Sequence, residues 1–266
     1  MEEDSFVLEN IYIGDECISL YQLPSKTFNE ACNNVNNNFE DNTGLRVYLG
    51  CFCCIQFLQK IKKFVMNKDV IELGCGSGAL SLIGLRNLEP ASITLTDGNQ
   101  SAINLCKMNV ELIKPLSNCQ VLNLSWDESV ENFGMKYNNN KKFDVIIGSD
   151  LMYYSTDVGQ LLKIMLSLTN LNDGIFISAH VFRRSGQKQE MIDYLKMNDW
   201  TTIQVPIEYV ASHIDLLQHP DWYSTCCLIS SSTNNIAKIL IENPSWLLFK
   251  EEDESEGVWN FNNYFE

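Results

Sequence analysis

Histidine, proline and basic residues are scarce in this chain, and long apolar runs are missing. No stretch of about 18 consecutive apolar residues occurs, so no transmembrane helix is expected. The opening Met-Glu-Glu-Asp is acidic and has no apolar segment behind it, so no signal peptide is expected. His180, His213 and His219 are the only histidines. Cys51-Phe-Cys-Cys54 has a C-x-x-C spacing, but no second C-x-x-C follows. A zinc site is thus the lesser alternative to packed thiols, and no metal is expected. Lys and Arg number 19 against 34 Asp and Glu, a net charge of −15. Eight of these negatives sit near the ends, at Glu2, Glu3, Asp4, Glu251, Glu252, Asp253, Glu254 and Glu256, which leaves −7 for the body. Such a body repels phosphates, so no nucleic-acid partner is expected. It suits a basic protein partner, or serves solubility alone.

Cysteine is not scarce. Ten are present, several inside apolar runs where a thiol packs as a small hydrophobe. Reduced thiols fit a cytoplasmic or nuclear compartment. A hydrophobic content of 45% over 266 residues can fill one large core with an appendage.

The pattern along the chain is mixed at first and then regular. Residues 6–23 alternate like a hairpin about Gly14-Asp15, and residues 29–42 are rich in Asn and acids, as a surface loop would be. Residues 47–64 place Phe52, Ile55, Phe57, Leu58 and Ile61 at helical spacing. Strand patterns follow at 70–73, 92–97, 119–124, 143–149 and 174–180, with helical patterns at 78–88, 99–112, 157–170 and 186–198. That alternation predicts a parallel sheet covered on both faces. Two more strands are expected at 200–207 and 223–230, separated by a long excursion, then a helix over 236–249 broken at Pro244. Asn138-Asn-Asn-Lys-Lys142 reads as a lengthened polar loop. Trp259, Phe261, Tyr264 and Phe265 end the chain, either docked on the body or free to bind a partner. The division expected is 1–65 for hairpin, loop and helix, 66–232 for the α/β core, and 233–266 for a C-terminal extension.

Val70-Ile-Glu-Leu-Gly-Cys-Gly-Ser-Gly78 is the most telling segment. A buried strand ends at Glu72 and a glycine turn opens a helix. Gly74, Gly76 and Gly78 lack a Cβ, so the backbone can turn tightly against a ligand. Dinucleotide sites use G-x-G-x-x-G to bring a pyrophosphate onto a helix N-terminus. The G-x-G-x-G spacing here differs, and Glu72 would repel a pyrophosphate while suiting an ammonium or sulfonium group. About 20 residues on, Asp97 ends the next strand, where a carboxylate can accept two ribose hydroxyls. The cofactor expected is S-adenosyl-L-methionine. Capping the helix that starts near Asn99 is an alternative role for Asp97 that does not exclude the first.

Ligands of open α/β sheets sit beyond the carboxyl ends of the strands. Glu72, Asp97, Trp126, Ser149 and Asp150 all fall at such ends. Trp126 can stack on an adenine or pack in the core. Asp150 and Tyr153 can face one cavity, or serve as a cap and a packed ring.

Four stretches resemble the seven-strand, class I protein-lysine methyltransferases of methyltransferase family 16. They are Val47-Tyr48, where the family usually has Val-Trp; Glu72-Leu-Gly-Cys-Gly-Ser-Gly78; Leu124-Ser-Trp126; and Phe143 to Tyr153, which ends in D-x-x-Y. The likeness runs from about residue 6 to about residue 200. Thr96-Asp-Gly-Asn99 with Ala102-Ile103 is similar to the calmodulin-lysine branch, although an acidic substrate would meet like charge here. Residues 205–266 do not resemble the usual family C-terminus. The resemblance implies a Rossmann-like α/β fold with a mostly parallel seven-stranded sheet, and transfer of a methyl group to a protein lysine. It implies Asp150 and Tyr153 as catalytic residues, with Tyr154 as a channel wall. Tyr48, Glu72, Gly74, Gly76, Gly78, Asp97, Gly98, Asn99, Trp126 and Ser149 would hold the cofactor. The expected partner is a protein substrate, with no nucleic acid and no membrane, and the expected state is a monomer. Methyl transfer to another substrate class, or a non-catalytic interaction module, are the alternatives. The first would favour an N/D-P-P-Y block for nucleic acid, and Ser149-Asp-Leu-Met-Tyr153 lacks both prolines.

Overall fold

A computed structural model describes residues 5–13, 16–25, 43–115, 117–127, 142–153 and 156–243. The Gly14-Asp15 turn, the 29–42 loop, residues 138–141, Tyr154, the break at Pro244, the C-terminal acidic run and the four terminal aromatics lie outside these residues.

Seven strands form one sheet. They are β3 (Asp69–Glu72), β4 (Ser92–Asp97), β5 (Asn118–Asn123), β6 (Val145–Ser149), β7 (Ile175–His180), β8 (Trp200–Val205) and β9 (Cys226–Ser232). The order across the sheet is β5-β4-β3-β6-β7-β9-β8. All neighbours are parallel except β9, which runs antiparallel to both β7 and β8. Val70, Ile71, Val145, Ile146, Ile147, Phe176 and Ile177 are all buried, the continuous apolar run of strands covered on both faces. The order reverses between β3 and β6, and the cleft at such a reversal is where doubly wound sheets bind ligands.

The covering helices are α1 (Leu49–Lys60), α2 (Ala79–Gly84), α3 (Gln100–Ile113), α4 (Val158–Leu168), α5 (Gln187–Met197), the short α6 (Ile207–Val210) and α7 (His213–Gln218), and α8 (Thr233–Glu242). The first is shorter than the 47–64 periodicity suggests; a 3-10 turn over Lys62–Phe64 follows it. Cys51, Cys53, Cys54, Ile55, Phe57 and Leu58 are buried on α1, so the C-x-x-C spacing serves packing. The 206–225 excursion holds two short helices that periodicity does not reveal, each spanning under two turns.

β1 (Val7–Ile13) and β2 (Glu16–Gln22) pair antiparallel as a separate hairpin. Buried Asn109 of α3 fastens it to the glycine loop. Its Oδ1 accepts from Tyr21 N at 2.7 Å, and its Nδ2 donates to Tyr21 O at 3.1 Å and Ser77 O at 2.9 Å.

Candidate active site

Each acidic strand end at the sheet reversal braces a neighbouring piece of backbone. Glu72 Oε2 accepts from Ser81 N at 3.1 Å, so it caps α2, whose own N-cap residue is Gly78. Asp97 Oδ2 accepts from Gly76 N at 2.9 Å, and its Oδ1 accepts from Asn99 N at 2.8 Å. Asp150 Oδ2 accepts from Gly50 N at 2.8 Å in the first turn of α1, and its Oδ1 accepts from Val181 N at 3.1 Å. A carboxylate has about four acceptor positions, so Asp150 keeps capacity for a ligand after its two bonds.

The N-cap of α3 is Asn99, whose side chain accepts from Ser101 N and Ala102 N, and not Asp97. Asp157 caps α4. Asp150 caps no helix that follows it; it serves α1, whose N-cap Tyr48 makes no side-chain cap bond. Asp150 also stands at φ 50°, in the left-handed region where Asp is better tolerated than most residues.

Together these ends enclose a cavity of about 540 Å³. Tyr48, Glu72, Gly74, Gly76, Asp97, Gly98, Asn99, Trp126, Ser149, Asp150 and Tyr153 all line it. Gly78 does not. Its φ of 80° opens α2, and a Cβ there would meet Cys106 Sγ at 2.8 Å, so this glycine packs the core behind the loop. Gly76, at φ 52°, passes so near another chain segment that a Cβ would stand 2.5 Å from Gly44 O.

Sequence reasoning missed several walls. Gly44 and Arg46 precede the first strand of the sheet, and their approach to the loop leaves no local signature. Thr156 and Gln160 follow the fourth parallel strand. The Gln160 side chain donates to Trp126 O at 2.6 Å. Arg183 lies three residues past the end of β7, a signal the strand-end rule could have supplied.

The electrostatics favour a cation. Glu72, Asp97, Asp127, Asp150 and Asp157 line the cavity against Arg46 and Arg183, and Arg46 is already paired to Glu9 at 2.9 Å. Burial lifts the Glu72 carboxyl to about 8, against the lowering effect of its bond with Ser81. Burial also raises Asp150, opposed by the bonds from Val181 and Gly50 and by the charge of Arg183. The Cys51 thiol on the wall is pushed well up by burial, so it is a poor nucleophile. A pyrophosphate has no place among these carboxylates. A ligand with a ribose, a flat base and a positive centre fits the donor set: Asp97 for hydroxyls, Trp126 beside Gly74 for the base, and Glu72 for the charge.

Comparison with known proteins identifies the family. The model of the lysine methyltransferase family matches residues 29–198, more than half of the chain. The chain is 26% identical to the protein-lysine N-methyltransferase EFM3 of Chaetomium thermophilum, over 56% of this chain and 45% of that protein. It is 28% identical to the protein N-lysine methyltransferase METTL21A of Xenopus tropicalis, over 50% of this chain and 58% of that protein. To the calmodulin-lysine N-methyltransferase of Arabidopsis thaliana it is 25% identical, over 54% and 48%. It thus spans about half the length of the curated relatives it matches. Among solved structures, the ribosomal protein L11 methylase of Lactobacillus delbrueckii subsp. bulgaricus superposes with a TM-score of 0.50 at 16% identity, covering 84% of this chain and 97% of that one. The T. thermophilus 16S rRNA N2 G1207 methyltransferase, in complex with AdoMet and guanosine, gives 0.53 at 12%, over 85% and 50%. At such identity these two show a common fold alone. By the family match, the chain belongs to the lysine methyltransferases of methyltransferase family 16.

Proposed function

We propose that the chain is an S-adenosylmethionine-dependent protein-lysine N-methyltransferase. One observation carries the reading: the glycine loop, Asp97, Trp126 and the Asp150–Tyr153 exit of β6 open into a single acid-lined cavity at the sheet reversal. Gly74, Gly76, Gly98, Asn99 and Asp97 would hold the cofactor, with Tyr48, Trp126 and Ser149 along its length and Glu72 under its positive end. When bound, S-adenosylmethionine supplies a methyl group made electrophilic by a sulfonium charge.

The remaining chemistry belongs to the chain. A lysine amine in water is protonated, with a pKa near 10.4, and only its neutral form has a lone pair. A cavity that strips water from the ammonium lowers that pKa. Asp150 would orient the amine and accept its proton through a free lone pair, directly or by way of water. Its raised proton affinity makes it a better acceptor than an exposed carboxylate. Tyr153 would fix the amine from the other side. Its backbone is held for this by two bonds, Tyr153 N to Thr156 Oγ1 at 3.2 Å and Gln187 Nε2 to Tyr153 O at 3.1 Å. Orientation is the larger contribution, since a held pair of reactants gains effective molarity that acid–base help alone does not give.

The acidic body supports a protein partner over nucleic acid, and the free thiols support a cytoplasmic or nuclear setting. Incubation with methyl-labelled cofactor and lysate from the source cells tests the reading. Label is expected at lysine in protein; label in RNA alone would overturn it.

A further inference from the structure

Residues 206–225, which join β8 to β9, leave the sheet at the carboxyl edge that also carries the cavity. This connection contains Glu208, Asp215 and Asp221 and neither lysine nor arginine. Tyr209, Leu217 and Tyr223 stand exposed on it. Between it, the end of β1 and α1 lies a second cleft of about 160 Å³. Its walls include Tyr12, Phe52, Gln56, Asp215, His219 and Trp222. Trp222 is buried and stacks on His219, with centroids 5.4 Å apart and planes at 14°. Tyr12 is 66% exposed, a large ring that folding leaves in water.

The two clefts are neighbours. Cys51 lines the main cavity and Phe52 lines the second, and these are successive residues of α1. The openings therefore flank one helix, which is about 10 Å across. Cys53, one residue further, feels the charges of both Asp150 and Asp221.

We propose that the second cleft takes an arginine side chain of the protein substrate whose lysine enters the main cavity. The inference rests on the lysine methyltransferase reading above. A guanidinium is planar, stacks on aromatic faces and pairs with a carboxylate through a fixed fork of donors. Tyr12, Phe52 and Trp222 supply rings and Gln56 an amide acceptor. Asp215 supplies a carboxylate whose bonds from Ser212 both fall on Oδ2. An apolar side chain would make no use of Asp215 Oδ1 or of the Gln56 amide, and a phosphate would meet like charge. Extended chain advances about 3.3 Å per residue, so the arginine stands about three residues from the target lysine.

The test uses the whole chain, labelled with ¹⁵N, and follows the Trp222 indole resonance, assigned through Trp222→Phe. N-acetyl-arginine amide should shift that resonance in a saturable way, and the citrulline analogue, equal in shape but uncharged, should not. Tyr12→Ala and Asp215→Asn should each weaken the arginine response about fivefold. Tyr12→Ala should also raise the KM for the methylated protein about fivefold and leave the cofactor Kd unchanged. Equal shifts from arginine and citrulline, or no Trp222 response, overturn the proposal even when methylation proceeds. Absence of any methylated protein beside a specific Trp222 response counts instead against the lysine methyltransferase reading.

Discussion

Asp150 reaches across 100 residues of sequence to accept the Gly50 N–H at 2.8 Å, and so ties the start of α1 to the end of β6. A Cβ on residue 50 would stand 2.5 Å from Asp150 Oδ2. Gly50→Ala must therefore push the carboxylate out of place. We expect a loss of about 1–3 kcal/mol in urea unfolding, with turnover falling further than cofactor affinity. Asp150→Ala orphans the N–H groups of Gly50 and Val181, which adds a stability cost of about 1–3 kcal/mol to its loss of turnover. Asp150→Asn keeps an acceptor oxygen for the braces and loses the charge. Turnover near wild type in Asp150→Asn would remove Asp150 as proton acceptor.

Glu72 couples ligand affinity to pH. Its carboxyl titrates near 8 when no cation is beside it, so at neutral pH it is mostly protonated. A cationic ligand favours the ionised form, and binding must release a proton. Affinity should then rise by up to about fivefold from pH 7 to pH 8, and level off near pH 9 at about tenfold. Calorimetry in two buffers of different ionisation enthalpy reads the released proton directly. In Glu72→Gln the release and the pH slope should both vanish.

Two glycines of the same motif should fail differently. Gly76→Val places a branched side chain on a backbone at φ 52° against Gly44 O, in the wall of the cavity, and should abolish cofactor binding in calorimetry. Gly78→Ala strains a residue at φ 80° against Cys106 Sγ, away from the cavity. It should cost about 1–3 kcal/mol of stability and keep a measurable Kd.

Stability should depend on pH through two opposed groups. His180 is fully buried, neither ring nitrogen has a hydrogen-bond partner among the described residues, and burial pulls its pKa down to about 3. The unfolded chain takes up that proton near 6.5, so this group destabilises the fold as pH falls from 7 to 5, by about 2 kcal/mol. Glu72 acts oppositely. Its folded pKa is raised, so the native state binds the extra proton and gains about 2 kcal/mol over the same fall. Relative to wild type, His180→Leu should gain stability between pH 7 and 5, and Glu72→Gln should lose it. Parallel pH curves for all three proteins in urea unfolding would contradict both assignments.

Strands such as 143–149 were legible because a parallel strand buried on both faces is a continuous apolar run, and polar residues mark where it leaves the core. The glycine loop and the acids at strand ends were legible for the same reason. What was not legible comes from contacts between distant backbone groups. Gly44 against Gly76, Gly50 under Asp150 and Asn109 between Tyr21 and Ser77 carry no local pattern. Gly78 looks equivalent to Gly76 in the string, yet one packs the core and the other lines the cavity. Asp97 and Asn99 both suit a cap, and only the path of the chain awards it to Asn99. The helices of 206–225 are too short to show a period, so the second cleft had no trace in the sequence.

The most direct test is peptide mass spectrometry on lysate proteins treated with the enzyme and methyl-labelled S-adenosylmethionine, run beside Asp150→Asn at matched cofactor occupancy. The account predicts labelled methyl groups on lysine side chains with wild type and a near absence of them with the variant. Label on another residue type or on nucleic acid, or equal lysine labelling by both proteins, would contradict it.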